Sequence, residues 1–269
     1  MNYIDKDIKD HEDYIEFTTF NKFNIKIFFT KKHYRSIPER SKEDVAKDFS
    51  LNKIMLSCHQ THSDNVVLVG EDTSVHHFPN TDGILTSNKN AAVLTKYADC
   101  LPIFIYDEET KIFGAVHSGW KGSFQEIVKR AIEKINPKDL STINILFGIG
   151  ISCEKYNVGK EFYEDFKNKF SKEIVDKVFS IKNNEFFFDN QLFNYYLLKE
   201  YGVKEEKIFL NNRCTFSENF HSFRRDKELS GRNGAIIFME EWLYEKQING
   251  IFFSFGTSCL WKFWFYRTY

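Results

Sequence analysis

The sequence predicts an α/β (α+β) fold: a single-domain layered α/β sandwich with mixed sheets. Three observations carry this. Short apolar runs of strand length recur along the chain, among them Phe23–Phe29, Val66–Val69, Ala91–Thr95, Leu101–Tyr106, Ile112–Val116 and Ile143–Phe147, then Glu185–Phe188, Lys207–Leu210 and Ala235–Phe238. Helical stripes alternate with them, but hairpins are prominent, so a purely parallel sheet is not expected. No repeat or Pro/Gly/Ser-rich linker divides the chain, and only 4 prolines occur in 269 residues. Residues 14–246 therefore read as one domain.

Three helices are expected. Ser123 with Glu126 forms a capping-box pattern ahead of Ile127, Val128, Ala131, Ile132 and Ile135. A second helix is expected from about Glu161 to Phe179, with Phe162, Phe166, Phe170, Ile174 and Val178 on one stripe. A third runs from Asp189 to Tyr201, turns Leu192, Phe193, Tyr196 and Leu197 inward, and stops at Gly202.

Charge is nearly balanced, 37 Lys+Arg against 38 Asp+Glu, and the lysines are scattered, so no nucleic-acid partner is expected. Cys58, Cys100, Cys153, Cys214 and Cys259 are an odd and irregular set, which suits a reducing compartment better than a disulfide framework. The N-terminal stretch is polar and acidic without the apolar core of a secretion signal, and a cytoplasmic location is expected. Residues 247–269 form an aromatic-rich tail. It reads as a docked apolar segment, a membrane-surface or partner segment, or a reading-frame extension; membrane contact is not the expectation.

The chemistry-bearing residues are His62, Cys100 and His117. The polar turn 107–110 joins Leu101–Tyr106 to Ile112–Val116, and a tip at Glu108-Glu109 puts Cys100 directly opposite His117 on one face. Two histidines and one cysteine suffice to hold a transition metal with one position left open. Taken singly, each has a plain structural reading: Cys100 as a small buried hydrophobe, His117 as a strand-end histidine. His59, His76 and His77 are not expected to be ligands. Arg224, Arg225 and Arg232 could clamp an anion or form a solvated basic loop; Arg225 and Arg232 are the candidates for phosphate, with Arg224 expected to diverge.

Several segments together resemble the YfiH-type, or laccase-domain, family. They are Gln60-Thr-His62-Ser-Asp-Asn-Val66, Thr81-Asp82-Gly-Ile-Leu-Thr86, Ala98-Asp-Cys-Leu-Pro-Ile103, Ala115-Val-His-Ser-Gly-Trp-Lys-Gly122 and Gly148-Ile-Gly-Ile-Ser152 with Val158-Gly159. Asn212-Arg-Cys-Thr215 and Ser222-Phe-Arg-Arg-Asp226 followed by Ser230-Gly-Arg232 complete the set. The resemblance spans about residues 55–238 and implies a layered fold with a metal centre on His62, Cys100 and His117. It also implies zinc, with copper as the alternative, and purine nucleosides and phosphate as substrates. The implied activity is phosphorolysis of adenosine, inosine and methylthioadenosine, with adenosine deamination at the same site. Hydrolytic editing of peptidoglycan precursors, with Cys100 as nucleophile and His117 as its base, is the alternative; copper polyphenol oxidation ranks below it, and a zinc-stabilised binding module is the non-enzymatic reading. The chain departs from the family pattern at Thr30–Arg35, where a glycine-containing Thr-Arg-x-Gly-Gly-Val-Ser element is usual.

Overall fold

The structure, a computed structural model, describes residues 1–37 and 40–240; the aromatic tail 247–269 lies outside the described residues. The strands begin with β1 (Asn2–Tyr3), β2 (Ile8–Asp10), β3 (Tyr14–Phe17), β4 (Ile25–Thr30), β5 (Ile54–Cys58) and β6 (Val66–Val69). They continue with β7 (His77–Phe78), β8 (Gly83–Thr86), β9 (Ala91–Tyr97), β10 (Leu101–Asp107), β11 (Phe113–Ser118) and β12 (Ile143–Phe147). The last are β13 (Asn157–Val158), β14 (Phe179–Lys182), β15 (Glu185–Phe188), β16 (Ile208–Leu210) and β17 (Asn233–Met239). The helices are α1 (Lys42–Asp48), α2 (Trp120–Phe124), α3 (Ile127–Ile135), α4 (Lys160–Lys169), α5 (Lys172–Val178), α6 (Asn190–Tyr201) and α7 (Phe223–Asp226).

Two seven-stranded sheets carry the fold. The first has the order β1-β16-β12-β10-β11-β8-β6, the second β2-β3-β4-β17-β9-β5-β7, and β13-β15-β14 form a small third sheet. Both large sheets are mixed: β10 runs antiparallel to β11 and β12, whereas β6 is parallel to β8 and β5 to β9. The layered mixed-sheet fold expected from the sequence is therefore the observed one. Residues ahead of position 14 supply β1 and β2, one strand to each large sheet. No helix among the described residues is long and apolar enough to cross a membrane.

Burial explains the apolar runs. Phe17, Phe29, Phe104, Phe113 and Leu146 fill the space between the two large sheets. Ile103, Ile105, Val116 and Ile145 face the other way, against Ile127, Val128, Phe166 and Phe193 of the helical layer. Residues of β10 thus alternate between two cores, and all seven are buried, which is why the strand reads as an almost continuous apolar run. A third cluster packs Val45 of α1 on Met55, Leu94 and Ile236 of the second sheet.

The hairpin register differs from the expected one. Pro102, not Cys100, lies opposite His117, because the turn is longer by two residues, both on its C-terminal side. The Asp107 carboxylate accepts from the N–H groups of Glu109 and Thr110, and Lys111 takes a left-handed φ of 59°, which closes the loop on Ile112 instead of Thr110. The displacement is even, so Cys100 and His117 keep a common face.

The helices differ too. Ser123 is not a cap: α2 starts after Gly119, and a break at left-handed Glu126 separates it from α3. The Ser123 hydroxyl instead donates to Asn190 Oδ1 at 2.6 Å inside a buried network with Ser118 and Asn194. The helix expected over 161–179 is two helices, because Ser171 caps α5 by accepting from the Ile174 N–H. The third helix is as expected, with Asp189 as its cap and Gly202 left-handed at its end. β1, β2, β3, β5, β7, β8, β13 and β14 are not among the expected strands; each is short or carries polar residues.

Three connections pass from the second sheet to the first, the chain returning between them: β5 to β6, β7 to β8 and β9 to β10. The residues of interest lie on these crossings.

Candidate metal centre

His62 lies on the first crossing, Asp82 on the second and Cys100 on the third, while His117 comes from β11. Asp82 joins them. Its carboxylate, with no exposed surface, accepts from the N–H groups of Thr61 (3.1 Å), His62 (3.0 Å) and Ser63 (2.8 Å) and from the Ser63 hydroxyl (2.7 Å). It also accepts from His117 Nδ1 at 2.8 Å, and the Asp82 carbonyl accepts from the His117 N–H. Those bonds hold His62 at a left-handed φ of 61°, unusual for a non-glycine residue. Asp99, at φ 84°, turns the third crossing in a similar way: its carboxylate accepts from Thr215 Oγ1 and the Arg224 N–H.

The ligand atoms of His62, Cys100 and His117 lie within 4.8 Å of one another, and Cys100 Sγ is 3.8 Å from His62 Nε2. Ligands around a tetrahedral zinc with bonds of about 2.0–2.3 Å stand roughly 3.3–3.6 Å apart, so the donor set fits with little adjustment. The Asp82 bond to Nδ1 leaves His117 Nε2 toward Cys100, the carboxylate–histidine pairing that orients metal-binding imidazoles. Burial pushes the Cys100 thiol up, but His117 and His62 outweigh it and bring it down to about 6. Burial alone would lower His117; the Cys100 thiolate and Asp82 raise it instead to about 9. Burial likewise works against the Asp82 carboxylate, yet His117 and Ser63 hold it well below the usual range. A thiolate ready for a metal thus sits between two imidazoles.

Gly119 completes the enclosure. A Cβ there would stand 2.9 Å from the His62 ring and 3.0 Å from Cys100 Sγ, so the absence of a side chain keeps the ligands' common space open. Behind it, Asn190 donates to the Ser118 carbonyl at 2.8 Å, tying α6 to the end of β11.

Two cavities meet at Ala98, Cys100 and Phe223. The larger, about 410 Å³, is lined by His59, Gln60, His62, Lys96, His117 and Arg232 besides those three. The smaller, about 150 Å³, is lined by Trp120, Tyr156, Asn190 and Arg224 among others. The structure brings Arg232 to the ligand trio but not Arg225. The Arg225 guanidinium bonds Asp226 through Nε and Nη2 and donates to the carbonyls of Thr215, Phe216, Glu218 and Phe220. Those carbonyls turn it away from the cavity. Arg224, expected to diverge from the site, instead lines the smaller cavity, where it stacks 5.1 Å over the Tyr156 ring and bonds Asn157. His59 lies on the cavity wall outside the ligand group, and His76 and His77 are exposed, His77 bonding Ser57. The departing segment Thr30–Arg35 packs on the arginine loop, with Lys32 pairing Asp226 at 3.1 Å.

Asp82 was not singled out in the sequence, although it lies in the Thr81–Thr86 segment. The available signal was chemical: a metal-bound histidine needs a carboxylate or carbonyl on its second nitrogen.

Residues 18–240 match the family model described as multi-copper polyphenol oxidoreductase laccase. The chain is 32% identical over 224 residues to a purine nucleoside phosphorylase of Borreliella burgdorferi, covering 81% of this chain and 94% of that protein. A purine nucleoside phosphorylase of Rickettsia conorii is 33% identical over 70% of this chain and 78% of its own. Among solved structures, Bacillus licheniformis YfiH superposes with a TM-score of 0.76 at 23% identity, over 87% of this chain and 99% of that one. Geobacillus stearothermophilus YlmD gives 0.76 at 19% identity with the same coverage; at these identities the two structures speak to the fold.

Proposed function

Since the chain belongs to the family described as multi-copper polyphenol oxidoreductase laccase, we propose that it is a zinc-dependent purine nucleoside phosphorylase acting on adenosine, inosine and methylthioadenosine. The relatives' activity supplies the reaction class. The observation that carries the reading is the His62/Cys100/His117 group, oriented by Asp82 and opening onto a cavity with Lys96 and Arg232.

In phosphorolysis a phosphate oxygen bonds to ribose C1′ as the C1′–N9 bond breaks. The bonding pair passes to the purine N9, and the proton given up by the attacking phosphate is taken up by the purine, which leaves as the neutral base. Arg232 is proposed to bind the phosphate, while Arg225 supports the loop that presents it. His62, Cys100 and His117 would hold the metal, which when bound supplies a Lewis acid beside the substrate. Asp82 fixes the His117 tautomer, and Gly119 keeps the space between the ligands clear. Adenosine deamination is proposed for the same centre.

Among the described residues this is the one His/Cys/Asp/Glu group able to hold a metal, which weighs against electron transfer between several coppers. A second reading draws on the same atoms: Cys100 as thiolate nucleophile, His117 as base and Asp82 as its orienting carboxylate, editing a peptidoglycan precursor. Incubating zinc-loaded protein with adenosine, with and without phosphate, beside a Cys100→Ala control decides between them. Phosphate-dependent release of adenine, lost in the control, is the expected result. Zinc-bound protein without nucleoside turnover would overturn the phosphorylase reading, and hydrolysis by metal-free protein would favour the second.

A further inference from the structure

The two cavities that meet at Cys100 differ in what their polar groups have left over. In the larger, Lys96 and Arg232 are the cations, and no carboxylate lines the wall. Lys96 is anchored through its backbone, its N–H donating to Gln60 Oε1 at 2.9 Å and its carbonyl accepting from Gln60 Nε2 at 2.8 Å. Gln60 lies two residues from His62, so the Lys96 backbone and the ligand loop are held together. The Lys96 ammonium has no ion pair among the described residues. Arg232 donates through Nη1 to the carbonyls of Ser230 and Gly231, which leaves Nε and Nη2 for another acceptor. Two cations without a counter-ion facing one space create a strong demand for an anion.

In the smaller cavity the charged groups are engaged by neutral partners, and the Arg224 guanidinium is stacked on Tyr156. Asp99 serves Thr215 and the Arg224 backbone, and the Arg224 guanidinium serves Asn157. What remains is aromatic surface. Trp120 is 39% exposed and Phe223 43% exposed, with Tyr156 on the wall behind. Trp120 leans on Phe162 at 5.3 Å, which steadies its ring without covering it. Exposed aromatic faces beside a narrow cavity suit a flat heterocycle.

We infer that the cleft is divided across the ligand trio: inorganic phosphate is taken on Lys96 and Arg232, and the purine ring is taken between Trp120 and Phe223. This rests on the phosphorylase reading and adds two specificity-determining residues to it, Lys96 and Trp120. The ribose would then span the trio, with C1′ reached from the phosphate side.

Equilibrium dialysis of the zinc-loaded protein with labelled phosphate and, separately, labelled adenine tests the division, together with KM values for phosphate and adenosine. Lys96→Met is expected to weaken phosphate about tenfold or more and leave adenine within about twofold, with Lys96→Arg restoring phosphate. Trp120→Ala is expected to do the reverse, weakening adenine and raising the adenosine KM about tenfold, and Phe223→Ala provides an independent check on the same wall. Loss of both ligands in one variant, or of neither in any, overturns the division. The phosphorylase reading fails separately. If the two ligands bind with this split but wild-type protein turns nothing over, the subsites stand and the reaction is wrong. Turnover without the split means the opposite.

Discussion

The sheet crossings around Asp82 and the arginine loop from Arg213 to Arg232 are both dense in polar side chains, but they close differently. At the crossings the bonds gather on one carboxylate and hold His62 and His117 while leaving their ligand nitrogens free. In the arginine loop, Arg232 excepted, the bonds consume the functional atoms themselves: Arg225 is filled by Asp226 and four carbonyls, and Arg213 by Glu218 and Asp10. Site chemistry therefore belongs to the donors and acceptors that folding leaves over, not to the richness of the motif.

The largest effect expected is at Asp82. Asp82→Ala removes the acceptor for three backbone amides, a hydroxyl and an imidazole, and should cost about 3–5 kcal/mol of unfolding free energy together with bound zinc. Chemical denaturation and metal content measure both. Retained metal at wild-type stoichiometry would break the comparison at its centre.

Arg225→Ala should cost about 2–4 kcal/mol, since it leaves Asp226 and several carbonyls short of a donor, yet zinc binding should persist in the folded fraction. Arg232→Ala should show the opposite balance, with stability changed by less than about 1 kcal/mol and phosphate affinity lost. Similar behaviour of the two would mean that the two arginines do not differ in role.

Gly119→Ala is a smaller and more local perturbation. Its φ of −70° accommodates alanine, so stability should hold while the new methyl group crowds His62 and Cys100. Zinc affinity should fall about 10–100-fold by competition with a chelator.

The finest test is pH. In metal-free protein, alkylation of Cys100 should rise through a pH of about 6, well below an ordinary thiol, whereas Cys58, buried and pushed up to about 12, should stay inert. His117→Ala should move the Cys100 profile upward. The effect on stability has opposite signs for the two partners. The lowered Cys100 value contributes stability that is complete above pH 9 and lost as pH falls to about 6. The raised His117 value contributes stability that is complete below 6.5 and lost as pH rises through about 9. Between 6.5 and 9 the pair binds one proton in both folded and unfolded chains, so its share of stability should be flat across that window.

Local features were legible wherever a local force decides them. Val66–Val69, Ile143–Phe147 and Glu185–Phe188 are strands as expected, and the third helix starts at Asp189 and stops at Gly202 as expected. The errors fall where a distant partner intervenes. Ser123 follows a capping pattern, yet Asn190, 67 residues away, takes its hydroxyl. The hairpin tip was misplaced because the Asp107 side chain organises a longer turn. Arg225 looked available because the carbonyls that fill it have no signature in a sequence.

What the sequence determined by itself was nine of the seventeen strands among the described residues, the span of α6 with its Gly202 stop, and the trio His62, Cys100 and His117. Apolar alternation, turn chemistry and ligand type act over a few residues, and the family motifs single out the trio. What only the tertiary structure decided was the allotment of strands to two sheets, the convergence of three crossings on Asp82, and the separation of Arg232 from Arg225. The physical reason is that strand pairing and buried hydrogen bonds are satisfied between groups far apart in the chain. Which polar atom is left over is known only once every other one has found its partner.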